Sequence, residues 1–154
     1  MGFTFQVLNN TRGIFKKIIE NNSLKDLNKT PNGFNNNIIW NIGHVVVSEQ
    51  LLAYKLSGLE STLSDEMINK FRKGTKPEGS LTQIEVNEIK DLLSTTIEKT
   101  IEDYYDDVFE NYSSYTVSTT GNTLNNIDEA LQFVAIHDGL HYGYVLALLK
   151  AVKN

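Results

Sequence analysis

Four long stretches of this chain place apolar residues at three- and four-residue steps, and its two prolines, Pro31 and Pro77, both fall between those stretches. Proline inside a helix removes a backbone hydrogen bond and clashes with the preceding turn, so prolines confined to connections leave each stretch free to be one continuous helix. The first runs from about Phe5 to Ile19, with Leu8, Thr11, Ile14, Phe15 and Ile18 on one stripe. The second follows the turn-rich Pro31-Asn32-Gly33-Phe34-Asn35 and repeats Ile38, Ile42, Val45, Val46, Leu52, Ala53 and Leu56 until Ser57-Gly58 stops it. Thr82-Gln83-Ile84-Glu85 opens the third with a capping-box pattern, and Val86, Ile89, Leu93, Ile97, Ile101 and Tyr104 continue it. In the fourth, Asn126 and Glu129 form a second cap pair ahead of Ile127, Leu131, Val134, Tyr142, Val145 and Leu149. The pattern predicts an all-α fold, and 154 residues fit one domain, spanning 1–154, with a core large enough to need no covalent staple.

The only three histidines lie inside these stretches, one in Trp40-Asn41-Ile42-Gly43-His44 and two in His137-Asp138-Gly139-Leu140-His141. Residues i and i+4 are offset by only about 40° around a helix, so His137 and His141 can aim both imidazoles at one point. A third imidazole from another helix would complete a facial set suited to zinc, nickel, copper or iron, with a further position left for water or a substrate atom. The metalloprotease version of the pair needs Glu directly after the first His; Asp138 stands there, so that motif is absent. The pattern alone does not bring His44 to the pair, and histidines that merely fill a core remain the competing reading.

Composition narrows the chemistry. With no cysteine there is no thiolate nucleophile and no zinc ribbon, so a metal must be held by His and carboxylates, and a cytoplasmic location is expected. Neither a signal peptide nor a membrane span is expected, because no apolar run approaches the required length. Lys+Arg 14 against Asp+Glu 19 gives a net charge of -5 without a basic stripe, which makes nucleic acid a poor partner.

Other features carry less specific expectations. Glu49 falls inside an apolar stripe, about 140° round the helix from His44, so a hydrogen bond to a neighbouring helix or loop is expected before a catalytic role. Gly139, Gly143 and Ala147 recur every four residues on the side away from the histidines. Close packing inside the bundle is the first expectation for that strip, and a homodimer seam the second, since each mid-helix glycine costs about 0.5–1 kcal/mol relative to alanine. Two long polar stretches, Ser57 to Ser80 and Asp106 to Asn122, could each lie over an open metal position. A four-helix bundle needs at least one long crossover, so one of them is expected to be a simple connection.

Asn36-Asn37-Ile38-Ile39-Trp40-Asn41-Ile42-Gly43-His44, followed by Glu49, and Ile136-His137-Asp138-Gly139-Leu140-His141-Tyr142-Gly143 together resemble the DinB-like metalloprotein superfamily. Leu24 to Pro31 resembles its first-helix exit and Phe71 to Gly79 its inter-helix loop, so the resemblance covers nearly the whole chain. It implies a four-helix bundle with crossover connections and a divalent metal, zinc, nickel or iron, held by His44, His137 and His141. Some relatives are bacillithiol or mycothiol S-transferases, which implies a low-molecular-weight thiol cosubstrate here. A non-catalytic metal or small-ligand binder and a metal-dependent hydrolase are the alternatives. Asp138 and Glu49 are both poorly placed to be a general base, which ranks hydrolysis below transfer. Trp40 and Tyr142 flank the ligands and are the aromatic candidates for cleft walls.

Overall fold

The computed structural model describes residues 1–153. Its frame is four long helices: α1 (Gly2–Glu20), α3 (Ile38–Ala53), α5 (Gln83–Tyr105) and α6 (Ile127–Val152). Two short helices, α2 (Leu24–Asn28) and α4 (Asp65–Phe71), and a minimal antiparallel pair, β1 (Tyr115–Thr116) and β2 (Thr123–Leu124), occupy the connections. The expected all-α architecture is present. Among the described residues no helix is long and apolar enough to cross a membrane.

Local chemistry sets the boundaries. Asn37 caps α3 by accepting from the Trp40 amide, and Thr82 and Glu85 form a reciprocal capping box on α5. At α6 the Asn126 side chain accepts from the Glu129 amide, but the Glu129 carboxylate reaches the amide of Asn125, one residue short of the expected box. Helix α3 ends at Ala53 and tightens into a 3-10 turn over Lys55–Ser57, and Gly58 at φ 75° then reverses the chain.

Helix α3 lies at the centre, packed on α5 and α6 and against α2 and α4, and almost every one of its residues is buried. Apolar residues therefore fall on most sides of it, as in a helix enclosed by neighbours, with Asn41, His44, Ser48, Glu49 and Gln50 buried among them. Ile38, Ile42, Val45 and Val46 join Phe15 of α1, Val86 and Leu93 of α5, and Val145 and Leu148 of α6 in the principal core. The first helix buries Phe5, Leu8, Arg12, Phe15 and Ile19, so an arginine sits in the middle of its apolar stripe.

The glycine strip of α6 is not packed inside the bundle. A Cβ built at Gly139 or Gly143 would meet no atom within 4 Å, and Ile136, Leu140 and Tyr144 beside them are exposed at 55%, 51% and 38%. The close approach is made by another glycine. A Cβ at Gly43 would lie 2.6 Å from the Phe71 ring, so only glycine lets the end of α4 settle against α3.

Candidate metal centre

Helix α3 contributes one imidazole and α6 two. The ring centroids of His44, His137 and His141 are 5.1, 4.8 and 4.5 Å apart in pairs, and one ligand nitrogen from each lies within 4.8 Å of the others. Around a tetrahedral ion with bonds of 2.0–2.1 Å, such nitrogens stand about 3.3 Å apart, so the three rings would draw closer together around one. The three residues the sequence singles out are thus brought together, although α4 and α5 lie between them in the chain.

Two of the rings are already oriented. His44 donates from Nδ1 to the carbonyl of Phe71 at 2.7 Å, which leaves Nε2 as the lone-pair nitrogen, and the Ser48 hydroxyl donates to it at 3.2 Å. His141 donates from Nδ1 to Oδ1 of Asn41 at 2.8 Å, so its Nε2 is likewise the basic nitrogen. Outer hydrogen bonds of this kind fix the tautomer and aim the ring of a metal-binding histidine. Among the described residues the buried Nδ1 of His137 has no hydrogen-bond partner. Trp40 stacks on His44 with centroids 4.9 Å apart and planes 9° from parallel, which holds the ring flat.

Burial also fixes the charge state. It lowers the pKa of His44 against the opposing hydrogen bond to Phe71. Burial, and then repulsion from the other imidazoles and Arg12, push His137 down to about 3, while burial and His44 push His141 to about 4. All three are neutral at pH 7, the form in which imidazole binds metal. Neutral, convergent and pre-oriented nitrogens fit a divalent ion.

Behind the histidines lies a buried charge cluster. Arg12 of α1 donates from Nε to Asp138 at 2.7 Å and from Nη2 to the carbonyl of Val45 at 3.3 Å, joining the three helices. Burial raises Asp138 to about 6 against the pull of Arg12, and Glu49 nearby raises it further. Glu49 is fully buried, accepts from Thr100 of α5 at 2.5 Å and from Gln50 at 3.1 Å, and is raised chiefly by burial. The expected hydrogen bond from a neighbouring helix is therefore found. Both carboxylates are engaged in the interior, and neither lines the open cleft.

That cleft, of about 290 Å³, opens beside His44 and His137. Leu51, Leu52, Leu56, Val117 and Phe133 form its apolar wall, and Lys55, Lys73, Tyr115, Ser118 and Thr119 its polar side. Trp40 and Tyr142 do not line it: Trp40 backs His44 and donates to Thr75, and Tyr142 packs edge-on against Phe15. Phe133 and Tyr115 are the aromatic walls instead. Both long connections border the centre, so neither is a simple link. The first supplies the Phe71 carbonyl and Lys73, and the second the hairpin residues from Tyr115 to Thr119.

Sequence reading gave no role to Asn41, Ser48, Arg12 or the two lysines. Asn41 and Ser48 stand three and four residues from His44 on one helix, so spacing could have flagged them. Arg12 sits four residues after Leu8 and three before Phe15, a charge on an apolar stripe that marks a buried partner elsewhere.

No curated protein shows significant similarity to the chain. The family model described as the DinB superfamily matches residues 8–145, which takes in all three histidines, the whole of α3 and α5 and the greater part of α1 and α6. The chain belongs to the DinB superfamily.

Proposed function

We propose that this protein is a divalent-metal S-transferase that acts with a low-molecular-weight thiol, with His44, His137 and His141 as the metal ligands. The observation that carries the reading is the convergence of three neutral imidazoles, two of them aimed by Phe71 and Asn41 and two of them, His44 and His137, lining an open cleft. Zinc and nickel suit such a set best, and iron is also accommodated. A bound ion would supply one thing, a lowered pKa for a thiol in its open position.

The chain's own residues supply the rest. Phe71 and Asn41 hold two rings in the required tautomer, Trp40 keeps His44 flat, and the leucine wall with Phe133 offers an apolar seat for an electrophile. The thiol must come from a cosubstrate because the chain has no cysteine. Hydrolysis is the weaker reading, since among the described residues no carboxylate lines the cleft to act as general base. We place the protein in the cytoplasm, in keeping with its lack of cysteine, and assign the exposed face of α6 to a homodimer.

Elemental analysis of untagged protein, alongside the variant with all three histidines replaced by alanine, tests the centre. Close to one metal per chain in the first and none in the second is the expected result, and no uptake of zinc or nickel by the native protein would overturn it. Thiol-dependent loss of monobromobimane, abolished by His141→Ala, then tests transfer. A protein that holds metal and leaves monobromobimane unreacted with every thiol tried is a binder.

A further inference from the structure

The cleft differs in charge from the molecule around it. Acidic residues outnumber basic ones 19 to 14 in the chain, yet among the described residues the cleft lining holds two lysines and no carboxylate. The lysines come from different elements, Lys55 from the 3-10 turn after α3 and Lys73 from the segment after α4. Lys73 donates to the Ser118 hydroxyl at 2.5 Å, which ties its ammonium to the hairpin side of the opening. Neither lysine forms an ion pair with a carboxylate within 4 Å among the described residues, whereas Lys70, Lys90 and Lys99 all do. Two ammonium groups without a carboxylate, on the rim of an apolar cleft, leave positive charge for a ligand to neutralise.

We propose that the cleft takes a small molecule with an apolar body and a carboxylate at its far end, the carboxylate held by Lys55 and Lys73 and the near end lying against His44 and His137. This deepens the transferase reading and rests on it only for the near end. The leucine wall and Phe133 accept the apolar body, and the Ser118 and Thr119 hydroxyls add donors for carboxylate oxygens. A carboxylate on either the thiol or the electrophile meets this description.

Calorimetric titration of zinc-loaded protein with 6-mercaptohexanoate and with 6-mercaptohexanol tests it, with hexanoate and hexanol as the thiol-free pair on metal-stripped protein. The acid is expected to bind more tightly than the alcohol, with roughly three- to fivefold lost for each of Lys55→Gln and Lys73→Gln and the advantage shrinking at high salt. Equal affinity for acid and alcohol, or an acid preference that survives the double Lys55→Gln/Lys73→Gln variant, would overturn the proposal. Because these lysines are exposed, the variants are expected to fold, and an unchanged melting temperature verifies that. The two readings fail separately. A preference for hexanoate that persists without metal supports the lysine subsite even if thiols gain nothing from zinc, while a zinc-dependent thiol affinity indifferent to charge removes the subsite and leaves the transferase.

Discussion

Arg12 ties together the two helices that carry the imidazoles. It is 1% exposed, bonds Asp138 beside His137 and reaches the Val45 carbonyl beside His44, so one guanidinium spans both helices that carry imidazoles. A buried pair is weak evidence of net stability, because desolvation offsets much of the attraction, but removing one partner strands the other charge. Arg12→Met is therefore expected to destabilise the protein by about 3–5 kcal/mol in denaturant unfolding. The double variant Arg12→Met/Asp138→Leu should recover much of that loss. If the double variant is as unstable as the single one, the stranded carboxylate is not the cause.

At the scale of elements, the centre depends on how closely α4 meets α3. Gly43 makes room for the Phe71 ring, and the carbonyl of that same Phe71 accepts the Nδ1 proton of His44. Gly43→Ala must displace a ring that is only 2% exposed, so the carbonyl that aims His44 moves with it. Overpacking of this kind costs about 1–3 kcal/mol, and loss of an outer partner lowers metal affinity about 10–100-fold. Competition with a chromogenic chelator measures the affinity, and an unchanged value in a folded Gly43→Ala protein would refute the link. The long helices were legible because each repeats its apolar step over several turns and two of them, α5 and α6, open on cap pairs in the sequence. Helices α2 and α4 are five and seven residues long, too short for a period to declare itself, and strands of two residues have no pattern at all. The histidine pair on α6 could be read from its spacing. Its meeting with His44 could not, because that depends on how α3 and α6 pack, and the Phe71 carbonyl is a backbone atom that no side-chain motif announces.

For the whole molecule, pH and association are the two tests. Without metal, the imidazoles are held neutral, His137 at about 3 and His141 at about 4, against about 6.5 in an unfolded chain. Between those limits the unfolded chain binds protons that the folded one does not, so their contribution is complete above about pH 6.5 and drains away as pH falls. Asp138, raised to about 6, and Glu49, raised by burial, act in the opposite sense, because their folded forms keep protons that the unfolded chain releases. His137 and His141 are together displaced further from their ordinary value than Asp138 is from its own, and His44 is lowered in the same sense, so the histidines are expected to set the sign. The melting temperature of metal-stripped protein should fall between pH 7 and pH 5, and a rise would show that the carboxyls dominate. The open strip on α6 makes a different kind of reporter. In a lone chain, alanine at Gly139 or Gly143 meets nothing and stiffens the unfolded state, a gain of about 0.5–1 kcal/mol. Between two helices that touch along the strip, the same methyl becomes an obstacle. Gly143→Ala should therefore raise the melting point of dilute protein and lower that of concentrated protein, so that a single methyl group counts the chains.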